Sequence, residues 1–260
     1  MHRIRLGIVD YLNSKPLAYA FLPGAEGPAE LRARYAARFE PPARVAELLA
    51  AGEIDVGLVP SIELERIPGL EIVPGLCVAS EREVRSVLLV SRVPIARVRR
   101  LALDVHSRTS VALVRILCAE RWGIEPELSP AEPEIERMLA ANDAALVIGD
   151  PALRIDPRRY LVFDLAREWF DLTGLPFVFA VWAARRGLEA PHLATDLTAS
   201  LELGLGHLDR LATQAAHELG LDPLAVKDYL TRNLSFRLGP REQSGLDEFH
   251  RRARQHGLVA

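Results

Sequence analysis

Residues 5–17 read Arg-Leu-Gly-Ile-Val-Asp-Tyr-Leu-Asn-Ser-Lys-Pro-Leu, an apolar run that gives way abruptly to a polar turn. The run Ile4–Val9 is short and rich in β-branched residues, which predicts a buried first strand. Ser14 followed by Pro16 is typical of a helix start, because a serine hydroxyl caps free N–H groups and proline fits the first turn. We therefore predict a helix from residue 14 to about residue 21.

The same alternation of short apolar runs and helical patterns continues along most of the chain, which indicates an α/β protein with mainly parallel sheets. Further strands are predicted at 31–35, 54–59, 70–78, 86–90, 101–105, 127–128, 145–148, 161–163 and 176–183. Further helices are predicted at 42–51, 109–122, 134–141 and 165–172. Beyond Arg185 the pattern is helical, and leucines at 3–4 residue spacing predict one long helix over 193–211. Asp222 should cap another helix, and Ser244 with Asp247 resembles a capping box that opens the last one.

This order of elements predicts two α/β lobes. The first is formed by residues 1–91 and 181–260, so that the C-terminal helices return to it, and the second is formed by residues 92–180. The strands at 86–91 and 177–183 are expected to cross between the lobes. The cleft between two such lobes is the default position for a ligand.

Composition excludes several classes of protein. The 49% apolar and 26% charged residues are ordinary for a globular chain, and a net charge of −3 offers no basic surface for nucleic acid or an anionic membrane. The two cysteines, Cys77 and Cys118, have no metal-binding spacing. No apolar run approaches the roughly 18 residues of a membrane span, and Asp10, Asn13 and Lys15 interrupt what would be a signal peptide. We expect a cytoplasmic protein without a metal; its oligomeric state is not predicted.

Nucleotide, zinc and acyl-transfer motifs are missing, since no GxGxxG, GxxxxGK[ST], HExxH or GxSxG pattern occurs. What recurs instead is a short polar stretch, mostly of small hydroxyl and amide residues, where a strand ends and a helix begins. The residues of this type are Asn13, Ser14, Ser61, Ser107, Arg108, Thr109 and Ser110. Helix N-termini attract anions, so several of them facing one cleft suit a ligand with carboxylates. Each residue can equally be a simple helix cap.

Three further residues are candidates for binding. Arg85 and Ser86 precede a predicted crossing strand, which places them at the mouth of the cleft. Either Arg85 or Arg108 can bind a carboxylate with two hydrogen bonds, although in a chain with 30 arginines a solvated or structural role is the commoner one for each. Asp150 follows a buried strand and either caps the next segment or closes against the ligand.

The motif YLNSKPL at 11–17 resembles the opening of the chorismate dehydratases of menaquinone biosynthesis, the enzymes that open the futalosine route. Further similar segments follow in the same order up to residue 185. They are IDVGLVPSIEL at 54–64, VRSVLLVSR at 84–92, LALDVHSRTSVALVRIL at 101–117, ALVIGDPAL at 145–153 and WFDLTGLPFVFAVWAAR at 169–185. The resemblance implies a two-lobe periplasmic-binding-protein-like (type II) fold. It also implies dehydration of chorismate, a dicarboxylate, to 3-[(1-carboxyvinyl)oxy]benzoate without a cofactor.

Under this resemblance Asn13 is the catalytic candidate, an amide that holds the departing hydroxyl or the anionic intermediate. Ser86 and residues 107–110 would bind the carboxylates. No Asp, Glu or His in the matched motifs stands out as a base, so the enolpyruvyl carboxylate of the substrate is expected to take the proton.

Three other functions remain open at the level of sequence. The first is the sister synthase that makes 1,4-dihydroxy-6-naphthoate, although its opening motif is missing here. The second is a non-catalytic solute-binding protein for small anions, which the fold permits equally. The third is the ligand-sensing module of a regulator, which would need a DNA-binding segment.

Overall fold

The first strand forms where the sequence predicts it, next to the edge strand of a six-stranded sheet, in a computed structural model that describes residues 3–259. The strands along the chain are β1 (Ile4–Val9), β2 (Tyr35–Glu40), β3 (Val56–Pro60), β4 (Leu70–Ser80), β5 (Val87–Ser91), β6 (Arg100–Asp104), β7 (Glu127–Ala131), β8 (Ala144–Ile148), β9 (Leu161–Asp164), β10 (Phe177–Arg185) and β11 (Ser235–Arg237). The α-helices are α1 (Ala29–Arg34), α2 (Pro42–Ala50), α3 (Glu63–Arg66), α4 (Thr109–Leu117), α5 (Ile135–Ala141), α6 (Gly149–Leu153), α7 (Leu165–Thr173), α8 (Leu193–Gly206), α9 (Leu208–Leu219), α10 (Pro223–Asp228) and α11 (Pro240–Gln255).

The strands form two sheets. The first has six strands in the order β11-β4-β10-β3-β1-β2, and the second has five in the order β7-β6-β8-β5-β9. Strand β1 runs parallel to β2 and β3, and β6 runs parallel to β7 and β8. Strands β5, β10 and β11 run antiparallel to their neighbours, so both sheets are mixed and the prediction of mainly parallel sheets is wrong. The parallel strands are followed by helices, which agrees with the α/β alternation of the sequence.

The chain passes between the sheets in the connections 81–86 and 174–176. Strand β5 belongs entirely to the second sheet and β10 entirely to the first, so neither crosses between lobes as expected from the sequence. The lobe boundaries at 91/92 and 180/181 remain a prediction, and sheet membership favours moving each of them to the nearest connection. Residues 1, 2 and 260 of the predicted first lobe lie outside the described residues.

Helices tie the two sheets into one packed unit. Helix α2 packs on β1 and β3, whereas α11 packs on β10 of the first sheet and on α4 beside the second. The buried rings of Trp169, Phe177 and Phe249 contact one another edge to face where these elements meet. Within residues 3–259 no helix has the combined length and apolarity that crossing a bilayer requires.

Two predictions near the N-terminus are wrong. The segment around and after Ser14 forms two short 3₁₀ turns, Leu12–Ser14 and Tyr19–Phe21, instead of a helix. The Ser14 hydroxyl donates to the carbonyls of Val9 and Tyr11 instead of capping a helix. Pro16 lacks the N–H that a continuing helix needs. The predicted strand at 31–35 is mostly helix α1, whose sequence Ala-Glu-Leu-Arg-Ala-Arg consists of strong helix formers.

Two predictions in the C-terminal part also fail. The long helix over 193–211 is two helices that meet at His207, after two glycines that weaken the last turn of α8. Ser244 lies inside α11 and donates to the Pro240 carbonyl; the helix begins at Pro240, and the Glu242 carboxylate accepts from the Gly239 N–H at 3.2 Å. The Asp222 cap is confirmed, since its carboxylate accepts from the N–H groups of Leu224 and Ala225.

Helix α8 packs directly on the segment that carries the opening motif. A Cβ placed on Gly204 would lie 2.2 Å from the Pro16 carbonyl oxygen, which is too close for any real contact. The neighbouring Gly206 has open space around it. Only a glycine therefore lets the helix approach Pro16 this closely.

We predict that Gly204→Ala lowers the free energy of unfolding by about 1–3 kcal/mol, because two backbones must move apart. Gly206→Ala is the matched control and should stay within about 0.5 kcal/mol of the wild type or gain stability, since alanine is the better helix former. Urea unfolding followed by circular dichroism measures both. Equal stability of the two variants would contradict the packing argument.

Candidate functional site

A cleft lies at the carboxyl ends of the parallel strands of both sheets. The first sheet contributes Val9 and Pro60 at the ends of β1 and β3, and the second contributes Ile148 at the end of β8. Apolar side chains form the walls, and they are Leu58, Val78, Val87, Ile148 and Phe179.

Half of the predicted site residues line this cleft. Asn13 lies on the side of the first sheet, and the other four form the turn into α4 on the side of the second, namely Ser107, Arg108, Thr109 and Ser110. The remaining predicted residues, Ser14, Ser61, Arg85, Ser86 and Asp150, are not part of its lining. The structure therefore brings together one amide and three hydroxyl groups in a largely apolar space.

The start of α4 presents hydroxyl groups to the cleft. The hydroxyls of Ser107 and Ser110 form no hydrogen bond with any other group in the described part of the chain. The Thr109 hydroxyl accepts from the Ile62 N–H at 3.2 Å and lies 3.4 Å from the Ser61 hydroxyl, so it joins the two lobes. Two free hydroxyls at a helix N-terminus can donate to an anionic ligand.

Arg108 lines the cleft, but its guanidinium is already paired with the first lobe. It donates to Glu47 at 3.0 Å and to Glu63 at 3.2 Å. The Glu63 side chain is 1% exposed and is also paired with Arg66 at 3.3 Å. Arg108 therefore bridges the lobes with its charge balanced, a contact that sequence reasoning about a carboxylate ligand does not anticipate.

Four of the other predicted residues support the walls of the cleft. The buried hydroxyls of Ser14 and Ser61 donate to backbone carbonyls, that of Ser61 to Val178 at 2.7 Å. The Asp150 carboxylate accepts from the Leu12 N–H at 2.9 Å, and burial raises its pKa. Ser86 is fully buried, and its hydroxyl accepts from the Tyr229 hydroxyl at 2.8 Å.

Arg85 lies away from the cleft, beside Asp164 in the connection between the sheets. Its φ of 60° is a left-handed conformation that a non-glycine residue seldom adopts. The Asp164 carboxylate accepts from the N–H groups of Val84 and Arg85, and also caps α7. Arg85 thus sets the path of the chain towards Ser86, and its guanidinium does not line the cleft.

The sequence does not single out Tyr11, which lines the cleft, or Asp104, which is not part of the lining but lies near Tyr11. The Tyr11 ring packs so closely on Gly149 that a Cβ there would lie 2.8 Å from it, and burial, with Asp104 and Asp150 nearby, raises the pKa of its phenol. Asp104 is 1% exposed, and one of its carboxylate oxygens accepts from the His106 N–H at 2.9 Å. The other carboxylate oxygen is buried without a hydrogen-bond partner among residues 3–259. Burial raises the pKa of the Asp104 carboxyl group. In the sequence, the position of Tyr11 two residues before Asn13 could have indicated it, and Asp104 could have been found as an acidic residue at the end of a strand.

Comparison with known proteins assigns the chain to a family. A family model described as menaquinone biosynthesis matches residues 4–255. The chain belongs to the menaquinone biosynthesis family. A curated relative from Thermus thermophilus, named chorismate dehydratase, is 35% identical over 94% of this chain and 93% of its own length. The resemblance stated from the motifs is confirmed at the level of the family.

Solved structures show the fold of this menaquinone biosynthesis family member. A protein from Archaeoglobus fulgidus superposes with a TM-score of 0.79 at 17% identity, covering 99% of each chain. The alkanesulfonate-binding protein of Xanthomonas axonopodis pv. citri, solved with MOPS bound, superposes with a TM-score of 0.70 at 18% identity over 99% of this chain and 94% of its own. The predicted α/β, two-lobe periplasmic-binding-protein-like fold is confirmed.

In this family member no group of three or more His, Cys, Asp or Glu residues within the described chain is arranged to hold a metal ion. The predictions that the reaction needs no cofactor and that the protein is cytoplasmic remain predictions.

We predict that Arg108→Ala lowers the free energy of unfolding by about 1–3 kcal/mol, because it leaves the buried Glu63 with a single partner. Arg44→Ala is the matched control, since Arg44 forms only an exposed pair with Glu47 and should cost less than about 0.5 kcal/mol. Denaturant unfolding measures both. A cost for Arg108→Ala no larger than that of the control would show that the bridge contributes nothing to stability.

Proposed function

We propose that this protein is a chorismate dehydratase, a carbon–oxygen lyase that removes water from chorismate to give 3-[(1-carboxyvinyl)oxy]benzoate. The observation that carries the proposal is the position of Asn13 in the cleft, opposite the hydroxyls of the α4 start, in a chain 35% identical to a chorismate dehydratase over nearly its whole length. A site of neutral amide and hydroxyl groups, with one arginine whose charge is balanced by Glu47 and Glu63, suits a reaction that needs orientation and charge stabilisation more than a strong acid or base.

The chemistry of chorismate explains why few groups are needed. The C–H bond at the ether-bearing carbon is acidified through the ring diene, because its loss delocalises charge toward the ring carboxylate. The neighbouring C–O bond then breaks, and the hydroxyl leaves with a proton as water. The product ring is aromatic, which makes the elimination favourable, so the protein needs to hold the reacting groups and balance the developing charge.

We assign the central role to Asn13, whose amide can donate to the departing hydroxyl or to the anionic intermediate. Ser107 and Ser110, with the N-terminus of α4, are assigned to the carboxylates, because their hydroxyls are free to donate and the helix dipole favours negative charge. Thr109 lines the same wall. Ser14, Ser61, Ser86 and Asp150 are assigned to holding the walls, which agrees with their partners in the backbone and in neighbouring side chains.

The proton is assigned to the enolpyruvyl carboxylate of the substrate. Among the described residues that line the cleft, none is an aspartate, a glutamate or a histidine. Asp104 is buried and is not part of the lining. A base carried by the substrate itself is already in position when the ring binds, so the elimination needs no protein side chain with a shifted pKa.

Incubating the purified protein with chorismate alone tests the function. We expect a benzoate chromophore to appear in the ultraviolet spectrum, identified as the 3-substituted ether by mass spectrometry, and no release of pyruvate. Tight binding of chorismate without turnover across pH 6–9 would favour a solute-binding protein instead. If chorismate is neither bound nor converted, the sister synthase reaction remains as the candidate.

We predict that Asn13→Ala lowers kcat for chorismate about 10²–10³-fold, the usual cost of losing one preorganised donor, while the substrate still binds. Asn142→Ala is the control, since Asn142 is a half-buried amide on the outer part of the second lobe that contacts Ser129 and Met138. Steady-state kinetics and calorimetric binding measure both. Turnover by Asn13→Ala within about threefold of the control would remove Asn13 from the centre of the mechanism.

A further inference from the structure

A second pocket lies beside the segment that carries the opening motif, and it shares no lining residue with the cleft. Val9, Tyr11 and Asn13 line the cleft, whereas Asp10 and Lys15 line the second pocket. Strand β2 and helix α9 supply further walls of the second pocket. One short segment of the chain therefore contributes side chains to two separate spaces.

Much of the lining of the second pocket is apolar. The Tyr19 ring lines it and stacks on the His207 ring, with 4.7 Å between the ring centroids and 17° between the planes. Leu22, Phe39 and Leu211 line the same pocket. A ligand with an aromatic or apolar body can bury its surface against these side chains.

The Tyr19 hydroxyl lacks a partner inside the protein. Tyr19 is 2% exposed, and its buried hydroxyl forms no hydrogen bond with any group in residues 3–259. Buried polar groups in folded proteins are nearly always hydrogen-bonded, if not by the protein then by water or a bound molecule. Because the Tyr19 side chain lines the second pocket, an occupant of that pocket can supply the missing hydrogen bond.

Arg210 brings a positive charge with unused donors to the same pocket. Its guanidinium donates to Glu26 at 2.9 Å and to the Gly24 carbonyl at 3.3 Å. A guanidinium has five N–H donors, so further donors remain beyond these two contacts within the described chain. The Glu26 side chain is 74% exposed, and an exposed ion pair holds its partners weakly. Arg210 can therefore bind a carboxylate without breaking a buried contact.

The other charged groups favour a ligand with only one negative charge. The Lys15 ammonium donates to Glu218 at 3.1 Å, and Glu218 lies 8 residues after Arg210, about 12 Å further along α9. Lys15 is thus balanced by its own partner, and Asp10 adds a negative charge to the lining. A monoanion is therefore favoured here over the dianion proposed for the cleft.

We propose that the second pocket is a binding site for a small monocarboxylate with an aromatic or apolar body. Arg210 binds the carboxylate, and the body of the ligand lies against Tyr19 and Phe39. This site is separate from the cleft, so its existence does not depend on the reaction proposed for the cleft.

Benzoate, a carboxylate on an aromatic ring, is the probe that tests the proposal. The chain contains five tyrosines, at 11, 19, 35, 160 and 229, so ¹³C labelling of the tyrosine rings gives a small set of signals. Tyr11 reports on the cleft and Tyr19 on the second pocket, and Tyr11→Phe and Tyr19→Phe assign their signals. We expect up to about 10 mM benzoate to shift the Tyr19 signal saturably and to leave that of the exposed Tyr160 in place. No shift, or a shift of Tyr11 alone, would overturn the proposal.

Two arginine variants test how the carboxylate is held. Arg210→Ala should weaken the binding that Tyr19 reports at least about tenfold, because a charge-assisted hydrogen bond is lost. Arg137→Ala is the matched control, since Arg137 is an exposed arginine paired with Glu134 and lines neither pocket, and it should leave the affinity unchanged. Melting temperatures check that both variants are folded. Equal affinities in the two variants would refute the role of Arg210.

Two smaller probes test the class of ligand. Acetate carries the carboxylate without the ring, and benzyl alcohol carries the ring without the charge. Each should shift the Tyr19 signal much less than benzoate does at the same concentration, since each makes only one of the two contacts. A shift by either compound as large as that by benzoate would contradict the assigned class. No measurement in this series uses chorismate, so its result is independent of the proposed reaction.

Discussion

Hydrogen bonds that cross from one sheet to the other hold the cleft in shape. The Leu12 N–H donates to Asp150, the Ile62 N–H donates to Thr109, and Arg108 pairs with Glu63. Each of these groups is fully or partly buried, and a buried polar group without a partner costs about 1–3 kcal/mol. The lobes can separate only if these groups find water instead. The closed arrangement is therefore specified by polar groups at the strand ends, on top of the apolar core that the sheets share.

Charged side chains and neutral dipolar groups have different roles around the cleft. The charged side chains near the cleft, Arg108 and Glu63, neutralise each other across the lobes. Apart from Arg108, the polar groups that line the cleft are an amide, three hydroxyl groups and the start of a helix. A dianionic ligand of the class proposed here would be held by fixed dipoles in an apolar surrounding, where they act strongly. The net charge of −3 therefore carries no information about the ligand.

Local patterns in the sequence predict the elements and the place of the site well. Strand β1, helix α2 and the turn at 107–110 follow from apolar runs and helix starts, and strand ends of parallel sheets meet in one cleft. Local patterns do not tell which polar side chain turns inward. Ser14 and Ser107 share the same signal, yet Ser14 bonds backbone carbonyls and Ser107 faces the cleft. The orientation of the Arg108 and Tyr229 side chains depends on partners that lie 45 and 143 residues away in the sequence. Local spacing patterns cannot predict contacts over such separations.

The path of the chain between the sheets has a consequence for the order of folding. The five-stranded sheet is built from one continuous stretch of sequence, from Val87 to Asp164, and every strand it needs is available midway through synthesis. The six-stranded sheet needs β10 and β11, and β11 ends at Arg237. A nascent chain can therefore complete its second lobe while the first still lacks two strands and the buried Tyr229. Because non-local pairing is slow, completion of the site should be among the last events in folding.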